Sequence, residues 1–469
     1  MPAIRRLLAA ALVAAPIAHA RAQDVPAPRW TAAVDSMMRA EMARARTPGA
    51  QLAVVENGRL VYTKGYGVAD VESGRPVTDR TLFQIGSIAK TVTAALITQL
   101  AVEGTLDLQA PISRYVPELA GRRVGAVTMH QLLTHTAGWA NFASPFGAHD
   151  DARLGEVFRA VTDTMMMTDP GRVYSYSNAG VAMAGYVAER VARRPFADLR
   201  DSVVLRRLGM PRATSRPLVA MTYDFSLGHM AGPDGAAAVV RPTPDNGVDR
   251  PAGFLYASAA ELARLAVALM DGGMLDGQRV LPAEAVRAMT TGHVSIPDRQ
   301  TERGGYGMDV DVVGGRRVWI ANGSVVGMFA SMRMWPDQKL AVLVFANRAM
   351  PEMPRPAVER VAQIVAGIAP PPPRPTYTAE REPTAAERAQ LAGTYGVGPS
   401  TFEVAEANGA LELRMGRTGL TYPVRLTSAG DRIVIPRPRA GDLVYLILRD
   451  PDGQVRFLYS GGRAFAKRR

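Results

Sequence analysis

Strand-like segments at both ends of residues 23–369, with helical segments between them, constrain the fold of this chain most. The first pair, Gln51–Glu56 and Arg59–Tyr66, is joined by Asn57-Gly58, a dipeptide that favours a two-residue hairpin turn. A second group lies towards the end of this region: Val310–Val313, Arg317–Ala321, Phe329–Trp335 and Leu340–Ala346. Bringing the two groups together predicts one antiparallel sheet with helices packed against it, an α+β architecture.

Helical patterns precede and separate these two groups of strands. They cover Trp30–Arg46, Ser87–Glu103, Gly180–Arg194 and Ala259–Met270. A chain of 469 residues is long for a single hydrophobic core. The pattern therefore predicts one large domain over residues 23–369, with something smaller beside it.

The smaller part is predicted to follow a Pro-rich linker at residues 370–375. Residues 376–469 contain alternating or apolar runs and a second hairpin dipeptide, Asn408-Gly409, which predict a small all-β domain. The runs are Phe402–Glu406, Ala410–Met415, Asp431–Ile435, Asp442–Arg449 and Gln454–Tyr459. No motif in this region indicates a function, so covering a cleft, binding envelope polymers and mediating assembly all remain open.

Residues 1–22 have the pattern of a secretory signal peptide. Arg5 and Arg6 precede the apolar run Leu7–Ala18, and small residues suited to cleavage follow at Ala20 and Ala22. The run is shorter than the roughly 20 residues of a transmembrane helix, although an uncleaved anchor is the alternative. The sequence therefore predicts a periplasmic or secreted protein with no stable membrane span after cleavage.

The composition excludes some classes of site. The chain has no cysteine, which rules out a thiol nucleophile and cysteine-based metal sites. Its formal net charge is +12, but the basic residues form no long run and no pattern interleaved with aromatics, so nucleic-acid binding is not expected. His130 and His135 lack an accompanying carboxylate pattern. We therefore expect neither a metal nor a cofactor.

Lysine is rare in this chain, which draws attention to Lys90. Of the 55 basic residues only four are lysines, and Lys90 lies three positions after Ser87 in a small, apolar stretch. Residues three apart share a helical face, so the hydroxyl and the amine can meet. A serine hydroxyl needs a base to become a good nucleophile, and a desolvated lysine can provide one. Alone, this motif also fits an ordinary helix start.

A second motif, Tyr176-Ser177-Asn178, precedes a predicted helix. A tyrosine near a lysine can relay a proton, and an asparagine can orient the lysine and a substrate amide. A polar helix cap is the simpler alternative. A Ser–His–Asp triad built on His135 or His229 is not expected, because the chain has no G-x-S-x-G motif. His135 is interpreted as a structural, hydrogen-bonding residue.

These motifs together resemble the serine β-lactamase and penicillin-binding-protein superfamily. The resemblance is closest to the class C-like branch, which includes β-lactamases, D-amino-acid peptidases and carboxylesterases. It runs from about Trp30 to about Ile368 and rests on four stretches: Phe83–Lys90, Gln131–Gly138, Pro170–Gly180 and Gly253–Asp271. It implies a β-lactamase/transpeptidase-like fold, Ser87 as nucleophile, Lys90 and Tyr176 as bases, and Asn178 in support.

The third motif of this family departs from the usual pattern. Where the family carries Lys-Thr-Gly or His-x-Gly, this chain has Ala321-Asn322-Gly323, followed by Ser324. The resemblance implies an oxyanion hole made by the backbone N–H groups of Ser87 and Ser324. The missing cation at Ala321 argues against efficient β-lactam hydrolysis and favours substrates without a carboxylate. Three arginines were considered as replacements: Arg316, Arg317 and Arg333.

The sequence thus predicts an exported serine hydrolase that forms an acyl-enzyme with a small-molecule or peptide ester or amide. An esterase, amidase or D-peptidase is favoured over an efficient β-lactamase. The alternative, suggested by Ala321, is a catalytically impaired, penicillin-binding-like protein that binds or senses its ligand.

Overall fold

A computed structural model of the chain describes residues 28–142, 144–348, 353–373, 375–396, 401–415, 419–437 and 441–468. The predicted signal peptide at residues 1–22 lies outside the described residues, as does Arg374 of the predicted linker. Within the described ranges, no helix combines the length and the apolar character needed to cross a bilayer.

The helices include the four predicted from the sequence, with ends shifted by a few residues. They are α1 (Thr31–Arg44), α2 (Ala89–Val102), α3 (Met129–Leu133), α4 (Ala152–Arg159), α5 (Asn178–Ala192), α6 (Phe196–Arg200), α7 (Pro217–Ala220), α8 (Ala259–Met270), α9 (Ala283–Thr290), α10 (Pro354–Ala366) and α11 (Ala385–Leu391).

The strands form one large sheet, two smaller C-terminal sheets and three short ribbons. In chain order they are β1 (Gly49–Glu56), β2 (Arg59–Gly67), β3 (Phe83–Gln84), β4 (His229–Ala231), β5 (Ala237–Val239), β6 (Tyr256–Ala257), β7 (Met274–Leu275), β8 (Gln278–Arg279), β9 (Val294–Ser295), β10 (Arg303–Gly304), β11 (Asp309–Val313), β12 (Arg316–Val325), β13 (Met328–Trp335), β14 (Leu340–Ala346), β15 (Gly393–Tyr395), β16 (Phe402–Ala407), β17 (Ala410–Met415), β18 (Thr421–Pro423), β19 (Arg425–Leu426), β20 (Arg432–Ile435), β21 (Leu443–Arg449), β22 (Val455–Ser460) and β23 (Arg463–Ala466).

The large sheet joins the two groups of strands that the sequence places far apart. Its order is β2-β1-β14-β13-β12-β11-β10-β9, and neighbouring strands are antiparallel. Strand β1 pairs with β14 so that Leu52 faces Val344, and the β1–β2 turn has positive φ at both Asn57 and Gly58. The predicted α+β fold with one antiparallel sheet is therefore confirmed.

Helices cover both faces of this sheet and bury two apolar layers. One layer contains α2, α5 and α8 and includes Met332 and Met334 of β13. The other contains α1 and α10 and includes Trp335 of the same strand. Because side chains alternate along a strand, Arg333 points towards the α1 and α10 layer. This placement bears on whether Arg333 can replace the cation that is missing at Ala321.

Two element boundaries differ from the sequence expectation in ways that affect the site. Strand β12 does not end at Ala321 but continues to Val325, because Asn322 and Gly323 also pair with β13, where they face Ser331 and Ala330. The helix predicted to begin at Ser87 begins instead at Ala89 as α2, and Ser87 itself lies in a short 3₁₀ turn, Gly86–Ile88, that leads into it.

The C-terminal residues form the sheets β15-β16-β17-β18 and β19-β20-β21-β22-β23, which enclose their own apolar core. The all-β character predicted for this part is therefore confirmed apart from the short helix α11, whereas the predicted domain boundaries remain a prediction. A further apolar cluster lies outside this core, where Phe457 and Tyr459 of β22 pack against Val173 and Tyr174. The second sheet thus rests on the segment that leads into α5.

Candidate active site

The turn that carries Ser87 is packed directly against strand β12. Gly86 has a φ of +56°, and a Cβ atom placed there would lie 2.4 Å from the backbone nitrogen of Ser324. A Cβ atom on Gly323 would lie 1.8 Å from the carbonyl oxygen of Ile85. Neither position can hold a side chain without moving the backbone, so these two glycines allow the turn and the strand to touch.

The hydroxyl of Ser87 lies between a phenol and an amine. The Tyr176 hydroxyl donates a hydrogen bond to Ser87 Oγ at 2.7 Å. Lys90 Nζ lies 3.1 Å from the same oxygen. The three residues that the two sequence motifs singled out are therefore brought together at one point.

Lys90 is held by two further acceptors. Its Nζ atom lies 2.7 Å from Asn178 Oδ1 and 2.5 Å from the carbonyl oxygen of Ala252, and the residue is only 3% exposed. An uncharged amine has two N–H groups and one lone pair. Once the amine has given up one proton, its two N–H groups can serve the two shorter contacts, and its lone pair is then available to the hydroxyl of Ser87. This arrangement suits an amine that accepts the proton of Ser87.

The loop that carries Tyr176 is fixed on both sides of the phenol. The Ser177 hydroxyl caps α5 by accepting a hydrogen bond from Gly180 N, and Asn178 N donates to Asn141 Oδ1 at 2.7 Å. The amide of Tyr176 itself donates to Gly462 O at 2.9 Å. The helix cap considered as an alternative is therefore present, but it is made by Ser177 and leaves Tyr176 and Asn178 free for the site.

His135 supports this loop without contacting Ser87. Its Nδ1 atom accepts a hydrogen bond from Ser177 N at 3.2 Å, and its ring lies 4.6 Å from that of Tyr176 between centroids. Burial, with the nearby charges of Lys90 and Arg463, lowers the pKa of His135 to about 3. The ring is thus neutral near neutral pH. The other histidine considered for a triad, His229, is bonded to Val71 N and Asn347 O.

Several groups in the site were not found from the sequence. Asn141, which accepts the hydrogen bond of Asn178 N, and the Ala252 carbonyl belong to no recognisable motif. Asp249 lies three residues before Ala252 and accepts a hydrogen bond from Ser144 N at 3.0 Å. Burial raises the pKa of Asp249 to about 6, against the opposing effect of that hydrogen bond and of the charge on Lys90. The only signal was that Gly253 begins one of the family-like stretches.

None of the three arginines considered as replacement cations lies at the site. Arg333 points to the opposite face of the sheet, where it donates to Asn322 Oδ1 at 3.1 Å. Arg317 is paired with Asp337. Arg316 begins β12 and lies eight positions before Ser324, a distance of about 26 Å along the strand. Ala321 is buried in the apolar layer of α2 and α8, and β12 therefore brings no cation to Ser87.

A search of the described ranges finds no group of three or more histidine, aspartate or glutamate side chains able to hold a metal ion. The groups gathered at Ser87 are its own hydroxyl, the amine of Lys90, the phenol of Tyr176 and the amides around them.

Replacing His135 tests whether its neutral state contributes to the pH dependence of stability. Since the unfolded histidine has a pKa near 6.5, the unfolded chain binds a proton between pH 6.5 and 3 that the folded chain excludes. The free energy of unfolding therefore falls as the pH is lowered through this range. Between pH 7 and pH 5 we expect the unmodified chain to lose about 2 kcal/mol more than His135→Gln, measured by urea unfolding at each pH.

The matched control is Ser177→Ala, which removes the cap of α5 beside His135 but no titratable group. This variant should keep the pH dependence of the unmodified chain. An equal loss of stability on acidification in His135→Gln and in the unmodified chain would contradict the assignment.

Comparison with known proteins gives the same assignment as the geometry. A family model described as Beta-lactamase matches residues 34–366. A β-lactamase from Providencia stuartii is 33% identical over 177 residues, which are 38% of this chain and 45% of that protein. Esterase EstB from Burkholderia gladioli is 32% identical over 196 residues, or 38% of this chain and 50% of EstB. The chain thus matches about half the length of these two relatives.

The likeness extends further among solved structures. The crystal structure of SurE superposes with a TM-score of 0.77 and 27% identity, covering 93% of this chain and 99% of SurE. SurE has also been crystallised with D-Leu. The family model covers most of the chain and includes Ser87, Lys90, Tyr176 and Gly323. This chain belongs to the β-lactamase family of serine hydrolases.

Proposed function

We propose that this chain hydrolyses ester or amide bonds through an acyl-enzyme on Ser87. The observation that carries the proposal is the position of Ser87 Oγ, 2.7 Å from the Tyr176 hydroxyl and 3.1 Å from Lys90 Nζ. A serine with a hydrogen-bonded base beside it is the arrangement that nucleophilic catalysis requires.

In the first step, Ser87 Oγ bonds to the substrate carbonyl carbon while its proton moves to Lys90 Nζ. The resulting oxyanion is stabilised by the backbone N–H groups of Ser87 and Ser324. The bond to the leaving group then breaks, and the leaving group takes the phenol proton of Tyr176, which the proton on Lys90 replaces. Water attacks the acyl-enzyme by the same route in reverse and frees Ser87.

Esters and amides are proposed ahead of β-lactams because β12 brings no cation to the site. The family relatives named above act in different ways: one is a β-lactamase, one is an esterase, and SurE was crystallised with D-Leu. Ala321 stands where the family has a cation that contacts the carboxylate of β-lactams. We therefore favour an esterase, amidase or D-peptidase.

We also propose that the protein is exported to the periplasm or beyond the cell, with the basic start and apolar run of residues 1–22 as support. The second candidate function is a binding or sensor protein with little turnover. Ala321 favours that candidate, since a weakened site can acylate and then release the product slowly.

Substituting the nucleophile and its base tests the proposed chemistry. With 4-nitrophenyl acetate we expect Ser87→Ala to lose at least about 1,000-fold in kcat/KM. Lys90→Arg should lose about 100- to 10,000-fold, because arginine keeps its proton and cannot act as a base. Turnover of nitrocefin and of a D-Ala-D-Ala peptide is measured beside the ester, with thermal unfolding as the check on folding.

An unchanged ester rate in Ser87→Ala would contradict the acyl-enzyme. If none of the three substrates is turned over but the intact mass shows a stable acyl group that Ser87→Ala lacks, the sensor function replaces the hydrolase.

The contact between β12 and the serine turn gives a second test. Gly323→Ala places a methyl group against the Ile85 carbonyl, which displaces Ser324 from the turn. Losing one oxyanion donor costs about 100- to 1,000-fold in kcat, so we expect a fall of that size with little change in KM. The control is Gly180→Ala, whose added methyl group would meet its nearest neighbour at an ordinary 3.5 Å. A Gly323→Ala variant with normal kcat would show that Ser324 takes no part.

A further inference from the structure

The turn between β22 and β23 of the C-terminal sheet is tied to the loop that carries Tyr176. Gly462 O accepts a hydrogen bond from Tyr176 N at 2.9 Å, and Ala464 N donates to Ser175 Oγ at 3.2 Å. The residue between these two anchors is Arg463. Its backbone is therefore fixed relative to the phenol that contacts Ser87.

Apolar packing holds this turn in place. Tyr459 is 1% exposed and lies with Phe457 and Ala464 in one cluster with Val173 and Tyr174, just before the Tyr176 loop. Clusters of buried aromatic side chains contribute strongly to the stability of an interface. The position of Arg463 is thus set by a packed surface, and it does not depend on the two hydrogen bonds alone.

The side chain of Arg463 reaches the reacting groups. Its guanidinium carbon lies 5.7 Å from the centroid of the Tyr176 ring, and Lys90 Nζ lies 4.9 Å from the same centroid. The hydroxyl of that ring contacts Ser87 Oγ. The guanidinium therefore lies against the phenol ring whose hydroxyl contacts the nucleophile.

Within the described residues, Arg463 makes no ion pair and no hydrogen bond through its side chain, and its Nε atom is buried without an acceptor. Other arginines of the C-terminal sheets behave differently: Arg381 pairs with Glu387, Arg425 with Glu382, and Arg432 with Asp431. Leaving a partly buried donor unpaired costs free energy. A cation without an anionic partner, lying against the phenol that contacts the reacting serine, is suited to an anionic group on the substrate.

We propose that Arg463 is the cation of this active site and binds a carboxylate on the leaving group of the substrate. This inference rests on the proposed function, because it specifies the substrate class of the same site. A guanidinium can bind a carboxylate through two parallel hydrogen bonds. We place the carboxylate on the leaving group because Arg463 contacts Tyr176, the residue that protonates the departing atom. The substrates are then esters or amides whose leaving group ends in a free carboxylate.

With Arg463 at the site, the expectation drawn from Ala321, that the substrate carries no carboxylate, changes. The absence of a cation from β12 favoured substrates without a carboxylate, but the C-terminal sheet brings a cation to the same site from another direction. Substrate selection therefore depends on Arg463, while Ser87 and Lys90 carry the bond chemistry.

The test compares two substrates with the same scissile bond: N-acetyl-D-alanyl glycolate, which has a free carboxylate, and its glycolamide, which has none. We expect Arg463→Gln to lower kcat/KM for the glycolate about 10- to 100-fold and to leave the glycolamide within about twofold. Arg463→Lys should retain part of the preference because it keeps the charge. Arg414→Gln is the control, since Arg414 lies on β17 with Glu403 and Glu412.

Two outcomes would overturn the proposal. Equal losses on both substrates would show that Arg463 only supports Tyr176, and an unchanged preference in Arg463→Gln would show that another group selects the carboxylate.

A binding measurement separates this proposal from the proposed hydrolysis. In the Ser87→Ala background, calorimetry should show at least about tenfold tighter binding of the glycolate than of the glycolamide, and the added Arg463→Gln should remove the difference. Selective binding without turnover in the unmodified enzyme would end the hydrolase proposal and leave this one standing. Turnover without selective binding of the glycolate and without a preference for it would end the proposal for Arg463 and leave the hydrolase proposal standing.

Discussion

Direct contact between two stretches of backbone sets the position of the nucleophile. Gly86 and Gly323 leave no room for side chains, so the 3₁₀ turn of Ser87 lies on β12 with nothing between them. Strand β12 is itself fixed by pairing with β13 on one side and β11 on the other. The eight-stranded sheet therefore supports the reactive serine directly, and the remaining groups of the site are positioned around that serine.

Three separate parts of the chain bring those groups. Helix α2 supplies Lys90, the start of α5 with the loop before it supplies Asn178 and Tyr176, and the segment before α8 supplies the carbonyl of Ala252. Helix α2 and the segment before α8 pack in the same apolar layer against the sheet, whereas Tyr176 packs against the cluster that contains Phe457 and Tyr459. Packing and hydrogen bonding thus position the site together. The C-terminal sheet adds a fourth part through its contact with Tyr176 N, which gives the all-β region a role that its composition did not reveal.

The sequence predicted the fold, and it singled out three residues that the structure brings together, because both results depend on local patterns. The strands and their Asn-Gly turns are encoded by period and turn chemistry, and Ser87 and Lys90 lie three residues apart. Prediction from the sequence failed where the position of a residue depends on contacts between segments that are distant along the chain. The predicted strand ended at Ala321, since only the pairing of Asn322 and Gly323 with Ser331 and Ala330 shows that β12 continues. Strand β23 and Arg463 were missed because nothing local marks the approach of a short β-turn to Tyr176.

The hydrogen bond that Ala464 N of the C-terminal sheet donates to Ser175 Oγ joins residues 289 positions apart. During synthesis, the serine turn and the tyrosine loop leave the ribosome long before the strands that support them. A growing chain can form its large sheet earlier, yet its loop lacks the final anchor until β22 and β23 have folded. Full assembly of the site therefore depends on the C-terminal sheets, since these anchors of the Tyr176 loop lie in the turn between β22 and β23.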